Sequence, residues 1–262
     1  MSLPVRIFTL ALDAMPQITW HLPTLNRLHE VDWRWIIVHG TADNVLDTSW
    51  CAKPEPRLSR DGTTEYLATL KGHPRITIIE KPLWHGKTEM CNAALKLIND
   101  PCIVLQMDAD EVWSPLNIRT VLWLFDQHEG ADAIQFYMRY FVGHNIVTLN
   151  NNSYGNNAGE WVRAWRYWPG RRFIKHEPPT MPGFTWGTTI GRDESLSVGI
   201  RPHHYAYVFE HQVAFKERYY KYRDAVKHWK RLQAHQGPWP VRLKDFLPWV
   251  DDRAQAGLHV AN

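Results

Sequence analysis

Apolar, β-rich runs alternate with segments of helical spacing through the first half of the chain. The runs VRIFTLAL, WRWIIVHG, RITIIEK and CIVLQM are typical of strands, and QITWHLPTLNRLHE, TTEYLATLKGH and KTEMCNAALKLIND are typical of helices. A continuously apolar strand such as CIVLQM suits the centre of a parallel sheet that is buried on both faces. The alternation therefore predicts an α/β fold, a Rossmann-like mixed sheet flanked by helices.

The pattern changes after Trp113. PLNIRTVLWLFDQH has helical spacing and DAIQFYMRYFV is strand-like, but strands and helices no longer alternate strictly. The segment TLNNNSYGNNAGEW is rich in Asn and Gly, which is typical of a mobile loop. One long helix is expected from Val208 to Gln233, with a segment broken by prolines after it, so we predict a C-terminal helical extension.

Composition bounds the class of protein. The chain has 262 residues, of which 44% are hydrophobic and 22% charged, as in an ordinary globular protein. A net charge of +3 is compatible with anionic ligands but is too weak by itself to indicate nucleic acid. The three cysteines form no CxxC pair, and the first residues lack a signal-peptide pattern. No apolar run is long enough to span a bilayer. We expect a cytoplasmic location, with peripheral membrane association left open.

An acidic junction follows the fourth predicted strand, in CIVLQMDADEVW. In an extended chain, residues two apart point the same way, so Asp108 and Asp110 would share one face while Ala109 lies on the other. Two carboxylates at the carboxyl end of a parallel strand suit Mg²⁺ or Mn²⁺, held in the crevice where such folds bind ligands. Acids also end strands simply because they are soluble, so the pair alone leaves both explanations open.

Several longer stretches carry a family resemblance. GKTEMCNAALKLINDPCIVLQMDADEVW resembles the stretch of family 2 glycosyltransferases of the GT-A fold in which a helix with an Asn precedes a strand ending in DxD. SRDGTTEYLATL resembles the nucleotide-binding DGST turn of that family. VRAWRYWPGRRFIKHEPP and RPHHYAYVFEHQVAFKERYYKYR are similar to segments of its lipopolysaccharide-core and peptide-modifying branches. The likeness covers about residues 5–225, and the order of these motifs is more specific than the DxD alone.

The resemblance implies one GT-A domain over residues 1–262. A nucleotide-sugar half would cover 1–113, an acceptor half 114–207 and the helical tail 208–262. One departure concerns the acid that usually ends the second strand of the family, because His39 stands there. Asp43 and Asp61 are both candidates to replace it, and an insertion over 41–58 separates the second strand from the DGST-like turn.

The resemblance also implies site residues. A Mn²⁺ or Mg²⁺ ion would be held by Asp110 and His204, with Asp108 on the ion's water shell or on the donor ribose, and with His203 as an alternative to its neighbour. Glu111 is expected to face away. The expected donor-binding residues are Asp43, Asp61, Lys87, Asn92, Asp108, Lys216 and Arg218. Each also has an ordinary explanation, such as a hydrogen-bonded histidine pair or a solvated basic helix face.

An inverting transferase needs a base for the acceptor hydroxyl. Glu177 is the first candidate by its place in the family motif, and Asp193 with Glu194 is the second; a surface salt bridge is the competing explanation for either. A retaining mechanism would need no such base. The candidate acceptor contacts are Trp84, Trp161, Trp165 and Trp168, although most tryptophans pack in a core.

The predicted function is metal-dependent transfer of a sugar, with inversion, from a nucleotide-diphosphate donor to a hydroxyl acceptor. A UDP-sugar is the first expectation for the donor. The acceptor could be a glycan, a lipid-linked sugar, a peptide or a modified nucleic acid. A nucleotidyltransferase is the alternative among enzymes, although the turn ALDAMP after the first strand lacks the Gly and basic residues typical of that class. A non-catalytic relative that binds sugar or nucleic acid is the alternative outside enzymes.

Overall fold

A seven-stranded sheet forms the centre of the molecule. The computed structural model describes residues 3–45, 48–149, 154, 161–183, 186–250 and 253–259. From edge to edge the strands, numbered in chain order, are β10 (Thr189–Ile190), β6 (Ala133–Gln135), β9 (Val162–Tyr167), β4 (Cys102–Gln106), β1 (Val5–Ala11), β2 (Trp33–Ala42) and β3 (Ile76–Trp84). Only β9 in this sheet runs antiparallel to its neighbours. The predicted mixed, mostly parallel sheet is confirmed.

Helices cover both faces of this sheet. They are α1 (His21–Leu25), α2 (Thr63–Thr69), α3 (Lys87–Leu95), α4 (Pro115–Gln127), α5 (Arg192–Ser197), α6 (Glu210–Tyr219) and α7 (Ala225–Gln233). Alternate residues of the central strands enter two separate cores: Ile7 and Ile37 lie in the one shared with α2 and α4, whereas Phe8 and Val38 lie in the one shared with α3. Burial on both faces explains why these strands are almost continuously apolar.

Two small sheets complete the fold. In the first, β11 (His203–His204) lies between β5 (Glu111–Val112) and β7 (Arg139–Tyr140), and His204 stands opposite Glu111. In the second, β13 (Gln255–Leu258) lies between β12 (Val241–Arg242) and β8 (Ile146–Thr148). The first of these sheets matters for the site, because its pairing brings His203 and His204 to the acidic turn after β4, which contains Asp108, Asp110 and Glu111.

The single helix predicted from Val208 to Gln233 is wrong. Two helices, α6 and α7, cover that stretch, and the backbone between them takes left-handed φ angles of 58° at Lys221 and 53° at Asp224. Left-handed residues cannot continue a right-handed helix, so the chain turns there although the periodic spacing runs on. The tail beyond α7 also contributes β12 and β13, so it is not only helical.

The loop predicted over 148–161 lies largely outside the described residues. Among the described helices, none is long and apolar enough to cross a bilayer.

Candidate active site

A cleft of about 1300 Å³ opens at the carboxyl ends of the central parallel strands. One side of it is lined by residues 10–17 at the end of β1 and after it, by residues 40–42 of β2 and by residues 108–110 after β4. Other parts of the lining come from the segment between β2 and α2, from α3, from the loop after β9 and from α6, together with Tyr140, Trp161, Arg163 and His204. This is the place where open α/β sheets bind ligands, because the loops that follow parallel strands meet at one edge.

The acids after β4 lie in a turn and not in extended chain. The strand ends at Gln106, and the amide of Glu111 donates to the carbonyl of Asp108 at 2.9 Å. Side chains in a turn do not alternate between faces, so Ala109 lines the cleft together with Asp108 and Asp110. The expectation of one shared carboxylate face, with Ala109 opposite, is replaced by a turn that presents all three residues.

Asp108 is held by protein donors on both carboxylate oxygens. Gln106 Nε2 donates to Oδ1 at 2.8 Å, and Arg163 Nη2 donates to Oδ2 at 2.9 Å. Burial acts to raise the pKa of Asp108, but the guanidinium of Arg163 outweighs it and keeps that pKa below its usual range. Arg163 also binds Glu111 at 2.9 Å, and Glu111 is fully buried and turned away from the cleft, as expected.

Asp110 meets His204 across the cleft wall. His204 Nε2 lies 3.3 Å from Asp110 Oδ1, and the amide of Tyr205 donates to the Asp110 carbonyl at 2.8 Å. Trp161 and Tyr140 pack edge-on against the imidazole, with ring centroids at 4.9 and 4.8 Å. Burial acts to raise the pKa of Asp110, but the neighbouring imidazole lowers it well below its usual range. Asp110 is therefore an ionised acid facing the cleft.

The pair Asp110 and His204 suits a divalent cation better than Asp108 does. Carboxylate and imidazole are donors that Mn²⁺ and Mg²⁺ accept, and an ion of this kind keeps several waters. Asp110 Oδ1 and His204 Nε2 converge, whereas Gln106 and Arg163 already bind both oxygens of Asp108. In the part of the chain that the structure describes, no group of three or more His, Cys, Asp or Glu side chains is arranged to hold an ion.

Lys87 and Glu177 form an ion pair in the same cleft. Lys87 is the first residue of α3, where Gly86 takes a φ of 86° that favours glycine. Burial acts to raise the pKa of Glu177, but the ammonium of Lys87 and the nearby imidazole of His176 lower it well below its usual range. The carboxylate is about one-third exposed and ionised, as an acid that accepts a proton must be.

Comparison with known families identifies the chain. The model of the family described as Glycosyl transferase family 2 matches residues 58–199, which is more than half of the chain. This protein belongs to glycosyl transferase family 2. Together with the mostly parallel sheet flanked by helices, that membership makes its fold the GT-A type.

Solved structures of S. aureus TarS are similar to this glycosyltransferase chain at low identity. TarS 1-349 is 15% identical with a TM-score of 0.40, covering 52% of this chain and 36% of that one. Its complex with UDP-GlcNAc is 16% identical with a TM-score of 0.39, covering 53% and 35%. A further TarS crystal structure is covered to 22%. This chain thus spans about a third or less of the TarS chains. No curated protein matches it.

Other predicted donor residues of the family 2 chain lie in different places. Asp61 lines the cleft, but its carboxylate accepts from the amides of Met15 and Thr63 at 2.9 and 3.1 Å, so it fixes the start of α2. Asp43 lies outside the cleft lining and accepts from the Asn44 amide. Lys216 and Arg218 line the cleft, and burial lowers the pKa of Lys216.

Asn92 and His39 both hold the fold together. The Asn92 side chain bonds the backbone of Phe173 in both directions, at 2.8 and 2.9 Å, and lies outside the cleft. His39 is fully buried, with Ser59 Oγ at 2.9 Å and a Glu80 carboxylate oxygen at 3.3 Å. The imidazole that stands in place of the family's acid is therefore hydrogen-bonded inside the protein and does not line the cleft.

Three predicted acceptor tryptophans do not reach the cleft. Trp84 is buried and donates to the His39 carbonyl at 3.0 Å, and Trp165 is 1% exposed in the core beside α3. Trp168 is exposed but stacks under Arg171 away from the cleft. Trp161 is the exception, because it lines the cleft against His204.

The second candidate base is also remote. Asp193 and Glu194 lie on α5, at the sheet edge, and neither lines the cleft; Glu194 pairs with His128 at 3.2 Å. His203 lies beside Tyr205, with Nδ1 3.2 Å from the phenol oxygen, and is likewise outside the lining. The predicted residues that the structure brings together in the cleft are Asp61, Lys87, Asp108, Asp110, Trp161, Glu177, His204, Lys216 and Arg218. Asp43, Trp84, Asn92, Trp165, Trp168, Asp193, Glu194 and His203 lie outside it.

Sequence reasoning missed the arginine that organises the acidic turn. Arg163 lies on β9, is 4% exposed and binds both Asp108 and Glu111. The available signal was its position within the otherwise apolar run VRAW, because a charge in a buried strand needs a buried partner. The aromatic wall of Tyr140, Tyr154, Tyr207 and Tyr220 was missed as well, because these residues come from separate segments.

Proposed function

We propose that this protein transfers a sugar from a nucleotide-diphosphate donor to an acceptor hydroxyl, with inversion and with a divalent cation. The observation that carries the proposal is the meeting of Asp110 with His204, and of Lys87 with Glu177, in one cleft of a family 2 glycosyltransferase chain. A UDP-sugar stays the first prediction for the donor, and a cytoplasmic location stays a prediction. The acceptor remains a glycan, lipid-linked sugar, peptide or modified nucleic acid.

The ammonium groups of Lys87 and Lys216 favour a diphosphate in the cleft. Lys87 on α3 and Lys216 on α6 both line it, and the Lys216 ammonium lies 4.9 Å from the Tyr207 ring centroid. Their charges would stabilise the negative charge that develops on the leaving phosphate. Asp110 and His204 would hold the ion, which when bound supplies further positive charge to the phosphates. Arg163 and Gln106 already bind Asp108, so Asp108 would contact the donor only with the part of its carboxylate that faces the cleft.

Glu177 would act as the base. The acceptor oxygen attacks the anomeric carbon from the side opposite the phosphate, and Glu177 takes the hydroxyl proton as that bond forms. The bond from the anomeric carbon to the phosphate oxygen breaks, and the nucleoside diphosphate leaves with the electron pair. Attack from the opposite side inverts the anomeric configuration.

Lys87 links donor binding to this base. In the free protein its ammonium holds the pKa of Glu177 well below the usual range, which makes Glu177 a weak proton acceptor. A diphosphate bound to Lys87 would neutralise part of that charge and add negative charge nearby. Both changes raise the pKa of Glu177 towards the range where a carboxylate is an effective base.

A thermal-shift screen tests the proposal directly. The screen contains UDP-, GDP- and CDP-sugars. We expect at least one of them to raise the melting temperature, and Mn²⁺ to increase that rise, because a ligand that binds only the folded state stabilises it. Nucleoside triphosphates serve as the comparison set. If no nucleotide sugar stabilises the protein, or if Mn²⁺ makes no difference to the shift, the proposed metal-dependent transferase is excluded.

Glu177→Gln should abolish transfer while keeping donor binding. The amide cannot accept the proton, so we expect kcat to fall by about 10²–10⁴-fold, the usual contribution of a positioned general base. The measurement is transfer with the donor found in the screen, alongside its melting shift. A Glu177→Gln protein that transfers sugar at the wild-type rate would remove Glu177 from the mechanism.

The Lys87→Met variant provides a separate check on the same base through pH. Without the ammonium, the depressed pKa of Glu177 rises, so the acid side of the kcat/KM profile should move to higher pH than in the wild type. Weaker donor binding alone would lower the profile without moving it. An acid limb at the wild-type position would show that Lys87 does not control the base.

A further inference from the structure

An exposed tryptophan stands inside the cleft. Trp50 is 52% exposed, lines the cleft and stacks on Tyr220 with ring centroids 5.3 Å apart and an interplanar angle of 19°. Trp123 and Trp168 are exposed to similar extents but do not line it. A large apolar ring kept in water within a cleft marks a surface that a ligand covers.

The chain holds this ring in place from both sides. The amide of Ala52 donates to the Tyr219 carbonyl at 2.8 Å, which ties the Trp50 segment to the end of α6. Asn44 Nδ2 donates to the Cys51 carbonyl at 2.9 Å on the other side. Because the backbone around Trp50 is fixed by these bonds, the exposed face of the indole is a preorganised surface.

The stacked rings share the cleft with the proposed base. Tyr220 and Glu177 line the same cleft, and the ammonium of Lys216 lies 5.8 Å from the Tyr220 ring centroid. The charges of Lys87 and Glu177 both act on the Tyr220 phenol, whose pKa is raised chiefly by burial. A base must contact the acceptor hydroxyl, so a ligand on these rings, in the cleft where Glu177 acts on Tyr220, belongs to the acceptor side.

The charges around Trp50 favour a neutral ligand. The cleft-lining cations that follow it, Lys53, Arg57 and Arg60, are matched by three cleft-lining acids, Asp13, Glu55 and Asp61. Arg57 pairs with Asp13, and Arg60 pairs with Glu55 at 3.3 Å. A nucleic acid acceptor would need a net positive rim along its phosphates. A sugar ring has an apolar face that can lie on an aromatic plane, with hydroxyls at its edge for the polar groups around it.

We propose that Trp50 and Tyr220 form an acceptor subsite that stacks a neutral sugar ring, so that the acceptor is a glycan. The proposal rests on the proposed function and narrows its substrate class. Trp50 precedes residue 58, where the family match begins, and Tyr220 follows residue 199, where it ends. Membership of the family therefore does not assign this subsite.

The test compares Trp50→Ala with the matched surface variant Trp123→Ala. The wild type and all variants are tested on a glycan array of neutral and acidic oligosaccharides that includes cellotriose, maltotriose and chitotriose. Binding to single-stranded oligothymidylate is measured for the same proteins. We expect neutral glycans to bind the wild type and Trp123→Ala, and the affinity of Trp50→Ala, measured by calorimetry with the best glycan, to be about tenfold weaker. Trp50→Phe, which keeps an aromatic plane, should recover part of the loss.

Donor stabilisation is measured on every variant. An unchanged melting shift with the donor shows that Trp50→Ala is folded and that its defect lies on the acceptor side. The proposal is overturned if no neutral glycan binds the wild type, if Trp50→Ala binds as tightly as Trp123→Ala, or if oligothymidylate is the ligand whose binding depends on Trp50. A wild type that binds glycans through Trp50 but is stabilised by no nucleotide sugar would refute the transferase and leave the sugar site standing.

Discussion

Asp110→Asn should lower kcat/KM for sugar transfer by roughly 10³-fold, which corresponds to about 4 kcal/mol of lost transition-state stabilisation. The neutral amide would be a poor ligand for a divalent cation and would remove the ionised acid that faces His204 at 3.3 Å. The rise in melting temperature that Mn²⁺ adds to donor binding should disappear at the same time. Transfer assays and thermal shifts with the same donor measure both effects.

The matched control is Asp126→Asn. Asp126 is exposed on α4 and lies outside the cleft, so its substitution should leave activity and stability unchanged. Equal activity of Asp110→Asn and Asp126→Asn would refute the role given to the acidic turn. If Asp110→Asn loses transfer but keeps the Mn²⁺ effect on the melting temperature, the ion is bound by other residues and Asp110 has a different role in transfer.

Arg163→Met should destabilise the folded protein by about 3–5 kcal/mol. The substitution leaves Glu111, which is fully buried, and Asp108 without their shared guanidinium. An uncompensated buried charge costs far more than an exposed one, so Arg34→Met, a change at an exposed position of β2, should cost less than about 1 kcal/mol. Urea unfolding of both variants gives the comparison.

The pH dependence of this loss has a defined sign. Burial raises the pKa of Glu111, and removal of Arg163 raises it further, so the folded variant binds a proton more readily than the unfolded chain. The variant therefore recovers stability as the pH falls, whereas the wild type loses the contribution of Asp108, whose pKa is depressed. The difference between the two proteins should be smaller at about pH 5 than at about pH 8. A difference that is constant or grows in acid would contradict the buried-charge explanation.

A second substitution separates charge from packing. Glu111→Leu added to Arg163→Met removes the orphaned carboxylate, and we expect it to restore a large part of the lost stability, because apolar replacements of buried ion pairs are often neutral. If the double variant is as unstable as Arg163→Met alone, the loss comes from packing of β9 against the acidic turn and not from Glu111.

The sheet and the strand end were predictable because their signals are local. The run CIVLQM shows a strand buried on both faces, and the structure buries every residue of β4. The order of motifs around it predicted the family, and the match over residues 58–199 confirms that prediction. What failed locally was the assumption of extended chain at Asp108 to Asp110, because the bond that closes the turn, from Glu111 to Asp108, has no signature in spacing.

Which side chains meet in the site could not be predicted, because it depends on pairing between segments that are far apart in the chain. His204 reaches Asp110 because β11 pairs with β5, and Glu177 reaches Lys87 across 90 residues of chain. Trp161, one residue before β9, lines the cleft against His204, whereas Trp165 on β9 packs in the core shared with α3. Composition and periodicity cannot distinguish the two, since the difference lies in which side chains pack against them.

The sequence by itself determined the class of fold, the family and the acidic end of β4, because burial periodicity and motif order are properties of neighbouring residues. Only the tertiary structure decided that Arg163 binds Asp108, that His204 faces Asp110, and that Trp50 is exposed in the cleft that holds Glu177. Each of these depends on contacts between segments far apart in the chain, and their geometry is fixed when the sheet and its covering helices pack together.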